Sequence, residues 1–134
     1  MRPSKLCISA TLSQGQRAIL LKLSAPKFDQ VYCHHVMWHY NCPPDAPFRE
    51  GPVKLLLTGI HRGETHEAFV GSLDGAWETP DGRRVHVTLS TAPGTPPVTA
   101  GEIDPAKVEP IEPIELLVSL IKRHPTKLRP DRRV

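Results

Sequence analysis

Apolar residues in this chain fall into short blocks separated by turn-forming residues, and each block predicts its own element. Residues 6–12, LCISATL, are rich in β-formers and predict a strand. A helical pattern follows directly. Ser13 is placed to cap it, Gln16 stands three positions on to complete a capping box, and Ile19, Leu20 and Leu23 line one apolar stripe before Ala25-Pro26 stops it. VYCHHVMWHY, residues 31–40, reads as one strand, ended by Asn41-Cys42-Pro43-Pro44 and a proline-rich loop. VKLLLTGIH and HEAFVGSL predict two strands around Arg62-Gly63-Glu64, and RRVHVTLS another behind the turn Pro80-Asp81-Gly82. The segment from Thr99 to Glu102 fits a brief capped helical turn. In KVEPIEPIELLVSLIK the prolines forbid a continuous helix, and ELLVSLI suits a buried strand.

Side chains alternate between the faces of a strand, so residues two apart point the same way. In the histidine-rich stretch one face carries Cys33, His35, Met37 and His39, and the other carries Tyr32, His34, Val36, Trp38 and Tyr40, the more core-like set. In RRVHVTLST, Val85, Val87 and Leu89 share one face, and His86, Thr88 and Ser90 the other. "HVMW" at 35–38 and "HVTL" at 86–89 thus repeat one pattern: a histidine, an inward apolar residue, then a second residue on the histidine's own face. Two such strands side by side would bring His35 and His86 to one groove.

At 134 residues the chain has the size of one domain. Its formal charge of +3 is unevenly spread, because residues 122–134 hold six Lys or Arg and one Asp, leaving eleven basic against thirteen acidic residues elsewhere. A slightly acidic domain over residues 1–121 and a basic tail over 122–134 are expected, the tail a solvated terminus or a contact for a polyanion such as nucleic acid. Cys7, Cys33 and Cys42 form no CxxC pair, and neither a signal-peptide pattern nor an apolar run of membrane-spanning length is present. The expectation is a cytoplasmic, reduced protein without a membrane segment.

Two facing imidazoles suit in-line displacement at phosphorus. One neutral histidine takes a proton from the attacking oxygen, the other gives one to the leaving oxygen, and their ordinary pKa near 6.5 lets both operate near neutrality. A hydroxyl two residues on, as at Thr88, can donate to a nonbridging oxygen, and no metal or other cofactor is needed.

"HVTL" at 86–89 together with "VYCHHVM" at 31–37 resembles the paired H-x-T/S motifs of the 2H phosphoesterase superfamily. The flanks RAILLKL, APKFDQVYCHHV, AFVGSL and RVHVTLSTAPGTPPVTAGEI are similar to the branch containing the cyclic phosphodiesterase domain of fungal-type tRNA ligases and related RNA-repair proteins, over most of residues 6–103. The resemblance implies an α+β fold whose antiparallel strands line a concave groove. It also implies hydrolysis or transfer at 2′,3′-cyclic or related phosphodiesters of nucleotides or RNA, with His35 and His86 as the catalytic pair and Thr88 as a phosphate-binding hydroxyl. Met37 stands where the second hydroxyl belongs and cannot donate a hydrogen bond; loss of one such donor costs roughly 10²–10³ in rate. His39, on the same expected face, or Ser90 could serve instead. Alternatively, the chain is a weakly active or inactive module that holds RNA or a nucleotide without turnover.

Cys33, His35, His39 and Cys42 would make a legitimate zinc set; the usual closely spaced cysteine pairs are absent and four ligands along one extended strand span too far to close a tetrahedron, so the set requires Cys42, in the loop beyond the strand, to fold back. His34 reads as a core histidine satisfied by a backbone carbonyl, Cys33 as a small buried hydrophobe, and Trp38 and Tyr40 as core anchors. Trp77 is the better candidate for ligand stacking, and His61 and His66 are expected to face solvent.

Overall fold

The computed structural model describes residues 6–96 and 102–124 and the backbone of residues 131–132. Strands β1 (Leu6–Thr11), β2 (Gln30–Val31), β3 (His35–Cys42), β4 (Pro52–Arg62), β5 (His66–Leu73), β6 (His86–Thr91), β7 (Val108–Ser119), β8 (Ile121–Arg123) and β9 (Asp131–Arg132), with helix α1 (Gln14–Leu23), give an α+β fold dominated by antiparallel sheet. Sheet A has the order β3-β1-β8, and sheet B the order β7-β4-β5-β6-β2-β9. The helical turn expected at residues 99–102 falls largely outside the described residues, and a short 3-10 turn follows at Pro105–Lys107.

The expected strand over residues 31–40 is in fact two strands in two sheets. Beyond β2 the chain stays on β6, where the Tyr32 and Cys33 amides donate to the carbonyls of Leu89 and Thr88 at 2.9 and 2.8 Å. Cys33 then adopts a φ of 63°, a left-handed conformation uncommon for a residue with a side chain. The next residues enter sheet A, the Leu12 amide donating to the His34 carbonyl at 2.8 Å. Arg17 of α1 clamps this crossing by donating from Nη2 to the Tyr32 carbonyl at 2.7 Å.

Ile8, Ala10 and Val36 of sheet A pack with Leu55, Leu57, Phe69, Val87 and Leu89 of sheet B in one core. Ser13 and Gln16 form the predicted capping box, yet only Leu20 of the apolar stripe is buried; Ile19 and Leu23 face solvent. On β5, a side chain at Gly71 would run into the Leu56 carbonyl of β4, so the close approach of these strands requires glycine. β7 runs straight through its prolines as an edge strand. Leu57 pairs with Ile114 and Gly59 with Pro110, so the extra β7 residues bulge out around Pro113.

The expected domain boundary at 121 falls inside β8. Ile121, Lys122 and Arg123 pair with Ser9, Ile8 and Cys7 of β1, Lys122 donates to the Pro44 and Ala46 carbonyls at 2.7 and 2.6 Å, and the backbone of β9 pairs with β2. Part of the presumed tail is therefore built into both sheets.

Glu67, on β5, has no solvent exposure, a buried charge that neither propensity nor period predicts. Its carboxylate accepts from Arg62 at 2.8 Å, from the Lys27 amide at 2.9 Å and from the Ser90 hydroxyl at 2.6 Å, while Arg62 also reaches Glu109 and Ser24. β4, β6 and the loop at 24–28 are tied to this group directly, and β7 through Arg62. Without Glu67, Arg62 is 35% exposed and keeps Glu109, but the Ser90 hydroxyl and the Lys27 amide lose their acceptor, which costs about 1–3 kcal/mol for a buried donor left unsatisfied. Glu67→Ala should lose stability of that order in urea unfolding, and a loss below about 1 kcal/mol, the scale of an exposed ion pair, would refute its organising role.

Candidate active site

His35 opens β3 and His86 opens β6, each on the strand face opposite the core residue that follows it, Val36 and Val87. The crossing at residues 32–34 lays the start of β3 beside β6, so the two histidines of different sheets meet at the seam. They are close enough that the charge of His86 bears on His35. Burial first, then His86 and His34, and then Arg123 bring the His35 pKa down to about 4. Burial also lowers that of His86, partly opposed by a hydrogen bond from its Nδ1 to the Arg84 carbonyl at 3.0 Å. Because a carbonyl only accepts, Nδ1 carries the proton there and the Nε2 lone pair is left for chemistry. The His35 ring and the Thr88 hydroxyl make no hydrogen bond among the described residues.

Thr88 lies on the His86 face, as alternation predicts: Ala68 pairs with Thr88 and Val70 with His86. Ser90 does not. A register shift in β6 puts Ser90 opposite Glu67, the neighbour of Ala68, and so on the other face, where it is fully buried and bound to Glu67. The same kind of shift removes His39. Met37 pairs with Ser9, but a bulge at Trp38 sets His39 against Ile8, on the core side of β1, while Met37 keeps the His35 face. Both expected substitutes for the missing hydroxyl are thus turned away by bulges that strict alternation cannot foresee.

Cys33 is fully buried, and burial pushes its thiol up to about 12, which makes it a packed hydrophobe and no nucleophile. Cys33, His35, His39 and Cys42 are not brought together, and among the described residues no three His, Cys, Asp or Glu side chains are grouped to hold a metal ion. Trp38 is half-buried against the core, beside a mostly apolar hollow of about 250 Å³. Tyr40, expected in the core, is exposed with the Arg83 guanidinium over its ring at 5.5 Å, and Trp77 is exposed beneath Arg84 at 5.8 Å.

His61 and His66, expected at the surface, are only 2% and 8% exposed. Their rings stack at 5.1 Å beside an open hollow of about 510 Å³, which Glu64, Asp104 and Lys107 also line. His66 Nε2 donates to the Glu102 carbonyl at 3.1 Å. Imidazoles stacked on one another cannot stand on opposite sides of a phosphorus atom, so this pair lacks the opposed arrangement that in-line displacement needs.

No family model matches the chain, and neither a curated protein nor a solved structure is significantly similar to it. No helix among the described residues is long and apolar enough to cross a membrane.

Histidine titration followed by NMR should place His35 near pH 4 and His86 below the ordinary 6.5. In His86→Gln the neighbouring charge is gone, and the His35 midpoint should rise while staying below 6.5 because burial remains. An unchanged midpoint would mean that the two rings are not neighbours.

Proposed function

We propose that this protein is a 2H-type phosphodiesterase acting on a 2′,3′-cyclic phosphate, or a related phosphodiester, of a nucleotide or RNA, with its two sheets framing the groove of a 2H-phosphoesterase-like fold. The observation that carries the reading is the approach of two H-x-T-like strands from separate sheets, with the charge of His86 bearing on His35 and the Thr88 hydroxyl uncommitted. One neutral imidazole removes a proton from water as its oxygen attacks phosphorus. The P–O bond opposite breaks, and the other imidazole, as imidazolium, delivers a proton to the departing ribose oxygen. Thr88 donates to a nonbridging oxygen, where negative charge builds. A bound phosphodiester anion favours the protonated form of its acid partner, offsetting the burial that depresses both groups.

Met37 favours a second reading, in which the groove binds a nucleotide or RNA phosphate without turnover. Steady-state assays of 2′,3′-cyclic nucleotides and RNA ends in EDTA, with the product phosphate position read by chromatography, separate the two. His35→Ala and His86→Ala should each lower kcat by about 10²–10⁴; full activity in either variant ends the catalytic reading, and binding without wild-type turnover supports the second.

The free-enzyme pH profile follows from the depressed pKa values. A base must be deprotonated, so activity is lost as pH falls through its pKa; an acid must be protonated, so activity is lost as pH rises through its own. With His35 at about 4 and His86 below its ordinary value, kcat/KM should be bell-shaped with both limbs below pH 6.5. A profile still rising above pH 7 would contradict this pairing.

A further inference from the structure

Met37 leaves the sheet A side of the groove without the hydroxyl that Thr88 provides on the other side. The neighbours of Met37 on that face narrow what can replace it. β1 presents Cys7, Ser9 and Thr11 there, in register with Arg123, with both Met37 and Ile121, and with His35. Ser9 is buried, and its hydroxyl is turned to the Cys7 thiol. Thr11 is exposed and directly beside His35 in the ladder. Arg123, which starts opposite Cys7, extends along β1 until its Nη2 donates to the Thr11 hydroxyl at 3.1 Å.

We propose that Thr11 and Arg123 together form the phosphate-oxygen clamp on the His35 side of the groove, taking the place of the donor that Met37 cannot supply. The proposal rests on the two-histidine reading and deepens it. A hydroxyl has one proton and two lone pairs, so Thr11, which accepts from Arg123, keeps its own O–H to donate. The guanidinium has five N–H donors in a rigid fork, and one bond to Thr11 leaves the others for an anionic oxygen. Thr11 also holds the long Arg123 side chain in place, which lowers the entropy cost of ordering it on a ligand. A fixed positive charge next to His35 favours the anionic phosphodiester and keeps His35 neutral, the form in which it accepts a proton; loss of that charge raises the His35 pKa. The recognised chemistry is a phosphodiester or phosphomonoester oxygen, held by Thr88 from sheet B and by Thr11 and Arg123 from sheet A.

The test compares the wild type with Arg123→Ala, Arg123→Lys, Thr11→Ala and Arg123→Ala/Met37→Thr, in the full chain, with thermal unfolding to establish that each remains folded. With 2′,3′-cyclic AMP as substrate, Arg123→Ala should lower kcat/KM by about 10²-fold, Arg123→Lys should recover only part because it lacks the fork, and Met37→Thr should restore activity to the alanine variant. Binding of 2′-AMP and 3′-AMP, read from shifts of the His35 and His86 resonances, should weaken in Arg123→Ala, and the His35 titration midpoint should rise. Unchanged kcat/KM and nucleotide binding in Arg123→Ala, with His35→Ala and His86→Ala inactive, would overturn the clamp and leave the two-histidine reading standing. A wild type that binds the nucleotides without turnover still tests the clamp through affinity, since equal affinity in Arg123→Ala overturns it. A wild type that neither turns over nor binds them overturns both.

Discussion

The arrangement of this molecule hangs on three residues of backbone. Tyr32 and Cys33 continue the ladder of β2 on β6, and Cys33 then turns left-handed so that the next residue belongs to the other sheet. A left-handed conformation at a residue with a side chain is unfavourable, about 1–2 kcal/mol, and persists only where the surroundings over-determine it. Here they do: Cys33 is enclosed in the core, its amide is bonded to Thr88, and Arg17 fastens the preceding carbonyl. Were the chain to continue straight, His35 would remain in the sheet B ladder and no second wall would stand opposite His86.

That geometry also decides the electrostatics. Both imidazoles at this seam resist protonation because of burial, and His35 does so further because the charge of His86 bears on it. Glu67 lies one residue from Ala68, the ladder partner of Thr88, yet its face is the core face and its charge is consumed by Arg62, Ser90 and the Lys27 amide. This buried acid therefore serves architecture, and the seam is lined by imidazoles, a hydroxyl and a guanidinium.

Much of the fold was legible because it is local. The capping box at Ser13 and Gln16, the hairpin of β4 and β5, and the inward run Val85, Val87 and Leu89 follow from propensity and period. The parity argument also held for His86 with Thr88 and for His35 with Met37. It failed wherever a residue was inserted into a ladder, since one extra residue inverts all that follows: Ser90 and His39 both sit just beyond such a shift. Local pattern also did not foresee the burial of Glu67, His61 and His66 or the place of Arg123, whose environments are made in part by partners distant in sequence. A strand of alternating residues carries no mark of where its far neighbours will be.

β1 is the central strand of sheet A, with β3 on one side and β8 on the other, and Cys7 lies in the ladder opposite Arg123 near the other end of the chain. Sheet A therefore cannot be completed from its first forty residues. Contacts so remote in sequence must close a very long loop before they return any stabilisation, and chains dominated by such contacts fold slowly, in milliseconds to seconds for all-β domains. On a ribosome releasing about 5–20 residues per second, β1 and β3 would wait several seconds with one edge open before β8 emerges.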